Sequence, residues 1–187
     1  MKTMKQRMCV LGMICLLALS VSGCGGGQEK EPQQPKGQIE FLKSFEAETL
    51  DGASFTQDDL AQNDVTIFYF WASTCGPCVQ EMPELAVYEQ SLPEHVGLVT
   101  VCLDGASDME GTKSILQEAG YKGTTLTDGD ENFKKLCSII MYTPTTLLID
   151  KEGNMLGDTI VGGQRNLEKT YTDAVNDALE SMGKDGL

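Results

Sequence analysis

The sequence predicts one α/β domain: a mixed β-sheet flanked by helices, with an extra β-hairpin at its N-terminal end. Three observations carry this. Apolar, β-branched and aromatic runs, Val65–Trp71 and Val96–Leu103, read as buried strands and alternate with helix-like segments. Thr145–Asp150 and Met155–Val161 flank Lys151-Glu152-Gly153-Asn154 as a hairpin, and a helical stretch, Asn166 to Met182, closes the chain. Phe41, Phe45 and Phe55 surround a Leu50-Asp51-Gly52 turn, which supplies the first hairpin. Strand–helix–strand alternation ending in a hairpin and a helix places helices on both faces of a sheet.

Residues 1–23 stand outside that fold. Lys2, Lys5 and Arg7 precede an almost uninterrupted apolar run from Cys9 to Val21. The run is shorter than the roughly 20 residues that cross a bilayer and reads as the core of a secretory signal. A retained N-terminal membrane helix is the alternative. Val21-Ser22-Gly23-Cys24 resembles a bacterial lipobox, although Val21 stands where Leu is commoner. It implies cleavage before Cys24 and diacylglycerol on the Cys24 sulfur; ordinary cleavage would leave that thiol free. Residues 24–38 form a Gly-, Gln- and Pro-containing linker with no apolar residue to bury after Cys24. Its ~14 residues reach at most ~45–50 Å when extended.

The folded domain is expected over 39–187. After the first hairpin, Thr56 three residues before Asp59 is a helix-start signal. Pro77 to Leu92 has Val79, Met82, Leu85 and Ala86 on one helical face. Asp108 to Ala119 follows, with Gly120 as its stop. Thr124–Thr127 reads as a short strand and Asp130–Ile139 as another helix.

The chain has 187 residues, a hydrophobic fraction of 41% and a net charge of −14. Loss of residues 1–23 removes three positive charges and no negative one, taking the charge from −14 to −17. Nucleic acid is excluded as a partner, because phosphate affinity comes from Lys and Arg. Anionic headgroups would repel the domain, so membrane attachment falls to a lipid on Cys24. Of seven cysteines, Cys9 and Cys15 leave with the signal and Cys24 is acylated, which leaves Cys75, Cys78, Cys102 and Cys137.

Cys75-Gly76-Pro77-Cys78 lies between a strand and a helix. Two intervening residues let both sulfurs sit at a first helical turn, where unpaired N–H groups and the positive end of the helix stabilise a thiolate. Pro77 suits that turn because its missing N–H would be unpaired there. Gly76 is expected to let the backbone turn tightly beside a substrate. Cys75, the outer sulfur, is the expected nucleophile and Cys78 the resolving thiol. Half of a zinc site or a purely structural disulfide are the competing readings. Zinc needs four ligands, and His95 is the one histidine, so no metal or other cofactor is expected.

Phe70-Trp71-Ala72-Ser73-Thr74-Cys75-Gly76-Pro77-Cys78 closely resembles the active-site segment of the thioredoxin superfamily. The continuation Cys78-x-x-Glu81-x-Pro83 is similar to the TlpA/ResA-like thiol-disulfide oxidoreductases, and Thr143-Pro144-Thr145-Thr146 resembles the family's cis-proline strand. The resemblance spans roughly Phe41 to Leu179 and implies a thioredoxin-like fold. It implies a cis Pro144 that holds the Thr143 backbone against the sulfurs for substrate pairing. It also implies Glu81 as proton carrier for Cys78, a helix kink at Pro83, and Trp71 packed beside the site. An exposed Glu81 is the competing reading. Tyr69 stands where thioredoxin itself has a buried acid, so proton transfer falls to Glu81.

Cys102 and Cys137 read as two core thiols, with a second disulfide as the alternative. The function expected from the resemblance is reduction of disulfides in exported proteins, apocytochrome c among them, at the outer membrane face. A CcdA-like membrane protein would supply the electrons. Competing functions are a disulfide-forming oxidase or isomerase, a thiol peroxidase of the redoxin branch, and a binding lipoprotein with a structural Cys75–Cys78 bond. The peroxidase lacks its Thr-x-x-Cys spacing here, and no Arg falls between Arg7 and Arg165.

Overall fold

The computed structural model describes residues 39–187. The expected signal segment, Cys24 and the linker lie outside them. The elements follow the order expected. A 3₁₀ turn (Glu40–Lys43) leads into a hairpin of β1 (Glu46–Thr49) and β2 (Ser54–Thr56), then α1 (Gln57–Leu60), β3 (Val65–Trp71) and α2 (Gly76–Ser91). There follow β4 (Val96–Cys102), α3 (Met109–Ala119), β5 (Thr124–Gly129), α4 (Glu131–Ser138), β6 (Thr145–Asp150), β7 (Met155–Val161) and α5 (Leu167–Ser181).

The seven strands form one mixed sheet in the order β2-β1-β5-β4-β3-β6-β7. Strand β3 lies parallel to β4 and antiparallel to β6. All seven of its residues are buried, and they alternate between two cores. Val65, Ile67, Tyr69 and Trp71 pack with α2, α3 and α5 on one face. Phe68 and Phe70 pack with Leu60 of α1, Phe133 and Leu136 of α4, and the first hairpin's Phe45 and Phe55 on the other. Each such side chain contributes roughly 1.5–3 kcal/mol of burial.

Local chemistry sets the element ends. Thr56 and Asp59 complete a capping box at α1. Asp108, Asp130 and Asn166 cap α3, α4 and α5 through their side chains. Gly120 ends α3 in the left-handed conformation. Gly153, in the β6–β7 turn, has φ of +81°, and a Cβ there would lie 2.7 Å from the Leu42 carbonyl oxygen. Only glycine lets the turn close on the 3₁₀ segment.

One difference from expectation is tertiary in origin. Strand β5 runs to Gly129 rather than Thr127, because Asp128 and Gly129 pair with Glu48 and Ala47 of the added hairpin. Phe41 lies in the 3₁₀ turn. Helix α2 continues through Pro83, whose side is exposed to solvent.

Candidate active site

The chain leaves the sheet at Trp71 and reaches α2 through Ala72-Ser73-Thr74. Cys75 N–H donates to the Ala72 carbonyl at 3.0 Å, closing a turn, and Cys75 caps α2. The Cys78 N–H points at the Cys75 sulfur, 3.3 Å away. The two cysteines form a disulfide with Cα atoms 5.3 Å apart. Cys78 is fully buried, Cys75 is half-buried, and Thr74, Gly76 and Pro77 are exposed. Attack on this pair therefore comes through Cys75.

Gly76 does not serve the expected tight turn. It is the first helical residue, and a Cβ there would meet nothing within 4 Å. The position is exposed and open to solvent, next to Cys75 in the chain. Trp71 is wholly buried beside Cys78, so it supports the site from within the core and offers no face to a substrate. Its Nε1 has no hydrogen-bond partner among the described residues.

The Thr143–Pro144 bond is cis. Thr145 pairs with Phe70, so the register brings Thr143 and Pro144 to the end of β3 where the Cys75 loop begins. The Pro144 carbonyl accepts from Gly162 N–H at 2.8 Å, tying this loop to the β7–α5 connection.

Glu81 is buried, 8% exposed, one helical turn after Cys78. The Tyr69 hydroxyl donates to its Oε2 at 3.0 Å. The Gln164 N–H donates to its Oε1. Burial raises the Glu81 pKa, and Glu84 adds to this; the bonds from Gln164 and Tyr69 oppose it without cancelling it. The β7–α5 loop lies against the same helix: a Cβ on Gly163 would sit 3.4 Å from Glu81 Oε1 and 3.6 Å from Pro77 Cβ.

A second carboxylate anchors the loop ahead of Cys75. Asp104 accepts from Ser73 N–H at 2.9 Å and from the Ser73 hydroxyl at 2.7 Å. The Cys102 thiol donates to Asp104 at 3.2 Å. Sequence reasoning missed Asp104, Ser73, Gly163 and Gln164 as site residues. Their only signal is tertiary, since each acts across strands or loops far apart in the chain. Cys102 and Cys137 are free thiols on opposite faces of the sheet. Burial pushes each pKa up to about 12.

The model of the Redoxin family matches residues 36–175. The chain belongs to the Redoxin family. It has the fold and the vicinal cysteine pair of the thioredoxin-superfamily thiol-disulfide oxidoreductases. It is 26% identical over 144 residues to sporulation thiol-disulfide oxidoreductase A of Bacillus subtilis, covering 76% of this chain and 82% of that protein. It is 28% identical over 112 residues to a thioredoxin-like protein of Haemophilus influenzae, covering 60% of this chain and 64% of that protein, less than two thirds of the latter's length. The structure of DsbF from MTB, solved in mixed oxidized and reduced forms, superposes with a TM-score of 0.57 at 26% identity, over 71% of this chain and 95% of that one. A thiol:disulfide interchange protein from Chlorobium tepidum has a TM-score of 0.60 at 20% identity, over 76% of this chain and 99% of that one, a likeness of fold alone.

Proposed function

We propose that this Redoxin-family protein reduces disulfides of exported proteins at the outer face of the membrane, held there by a lipid on Cys24. The observation that carries the reading is the asymmetry of the pair: a reachable Cys75 at the start of α2, a buried Cys78 behind it, and a buried carboxylate one turn further on. The Cys75 thiolate of the reduced protein attacks a substrate disulfide. A mixed disulfide forms, and one substrate sulfur departs with its electron pair. Cys78 then gives its proton to Glu81, and its thiolate attacks the Cys75 sulfur. The second substrate sulfur leaves, and the Cys75–Cys78 bond is restored. The next cycle needs two electrons from a dithiol donor, a CcdA-like membrane protein in this reading. The half-buried Thr143, at the edge of the cis-proline loop, pairs through its backbone with extended substrate.

The Gly76-Pro77 dipeptide favours reduction over oxidation, as in reducing thioredoxins. The lipobox-like Val21-Ser22-Gly23-Cys24 supports the anchor. The test is trapping with Cys78→Ser, which leaves Cys75 holding exported substrates as stable mixed disulfides that peptide mass spectrometry identifies. The reduction potential is expected nearer the about −270 mV of thioredoxin than the about −120 mV of the oxidant DsbA. A value at the oxidising end overturns the direction assigned. Cys24→Ser is expected to abolish fatty-acid labelling and move the protein out of the membrane fraction.

A further inference from the structure

We propose that Tyr69 is a positioning residue for thiol exchange: its phenol, together with the Gln164 amide, holds the Glu81 carboxylate behind Cys78 and sets the pH at which Glu81 exchanges its proton. This rests on the proton role given to Glu81 above.

Tyr69 occupies a strand whose other aromatic positions are Phe68, Phe70 and Trp71. It is completely buried, so a phenyl ring would fill the same space. What the hydroxyl adds is one bond, 3.0 Å long, to Glu81 Oε2. A buried hydroxyl is costly without a partner, and a buried carboxylate more so. Each group therefore answers the other's need. With Oε1 taken by the Gln164 N–H, both carboxylate oxygens have a fixed donor.

The titratable surroundings of Glu81 are sparse. Tyr69 faces it from β3. Tyr171 faces it from α5, with its hydroxyl engaged by Thr146 Oγ1 at 2.8 Å. Glu84 and the Cys75–Cys78 pair share its own helix. The β7–α5 loop contributes a backbone amide. Among the described residues no cation pairs with Glu81, so neutral donors alone stabilise its charge. Burial, first, and the neighbouring Glu81 push the Tyr69 phenol well above its ordinary range. Tyr69 therefore keeps its proton and remains a donor throughout the cycle. The moving proton travels from Cys78 Sγ to Glu81, the Cys78 electron pair forms the bond to Cys75 Sγ, and the substrate sulfur leaves with the pair of the bond it loses.

The test is Tyr69→Phe in the full-length protein, with melting and circular dichroism certifying the fold. Two measurements are made: the Glu81 carboxyl titration by carbon-13 NMR, and the pH profile of mixed-disulfide resolution. Loss of one donor to a charged group is expected to raise both midpoints by about one pH unit or more. Tyr69→Phe added to Glu81→Gln is expected to change the profile no further. A Tyr69→Phe titration superimposable on wild type, where Glu81→Gln does alter the profile, overturns the role of Tyr69 alone. A Glu81→Gln profile identical to wild type overturns the proton role of Glu81 itself. A purely structural Tyr69 would lower the melting temperature and leave both midpoints in place, which also overturns the proposal.

Discussion

Asp104 grips Ser73 by both its N–H and its hydroxyl, and so fastens the loop that presents Cys75 to the end of β4. The link joins residues 31 positions apart in the chain. Because Ser73 lies inside the turn closed by Cys75 N–H and the Ala72 carbonyl, the carboxylate fixes where the reactive sulfur emerges. Burial works against the Asp104 charge, but the Ser73 bonds and the Cys102 thiol outweigh it and hold its pKa below the ordinary carboxylate value.

Asp104→Ala is therefore expected to destabilise the protein by about 1.5–3 kcal/mol, the range for hydrogen bonds to a charged group. The pH dependence has a definite sign. A lowered folded pKa gives stability that is present above the unfolded value of about 3.9 and is lost as pH falls through the folded value. Urea unfolding at neutral and strongly acidic pH checks this: the gap between wild type and variant narrows in acid. A gap independent of pH contradicts the assignment.

Glu81 carries the opposite sign. Its folded pKa is raised, so its contribution is fully present below the unfolded value of about 4.3 and is lost as pH rises through the folded value. Glu81→Gln should be at least as stable as wild type at neutral pH. A glutamine can accept from the Gln164 N–H and donate to the Tyr69 oxygen, so each neighbour keeps a partner while the buried charge is removed. Thiol exchange should nonetheless slow, by the ~10²–10⁴-fold typical of a lost proton-transfer group. Denaturant midpoints and insulin reduction measured on one preparation test the pair of outcomes.

Cys102 and Cys137 are expected to resist alkylation in the native protein near pH 8, since thiols held at about 12 are almost wholly protonated there. Iodoacetamide labelling before and after denaturation, with digestion under non-reducing conditions, reads this directly. A peptide joining the two cysteines would contradict their separation by the sheet.

Gly153→Ala is expected to cost at least about 1–3 kcal/mol, because alanine resists a φ of +81° and its methyl group would press on the Leu42 carbonyl. The site lies at the other end of β6, so the reduction potential should not move. Thermal unfolding and potentiometry separate the two effects.

The fold was legible where pattern is local. The bounds of β3, β6 and β7 follow from their apolar runs and the intervening turn, and Thr56, Asp108, Asp130 and Asn166 announce helix starts by side-chain chemistry. The last two residues of β5 were not legible, because they are strand only through pairing with β1. At the site, Cys75, Cys78, Glu81 and Pro144 belong to contiguous motifs. Tyr69 showed only as a missing acid; nothing in its local sequence says that it faces Glu81. Asp104 follows a strand of unremarkable composition, and Gln164 acts through its backbone, which no residue type encodes.

The placement of the two spare thiols, one under each side of the sheet, has a consequence for how the molecule works over many turnovers. With neither able to reach the other through an intact core, the described domain can carry a single pair of electrons at a time. Such a carrier cannot serve two clients in succession without being recharged, so its throughput is capped by how often it meets its donor.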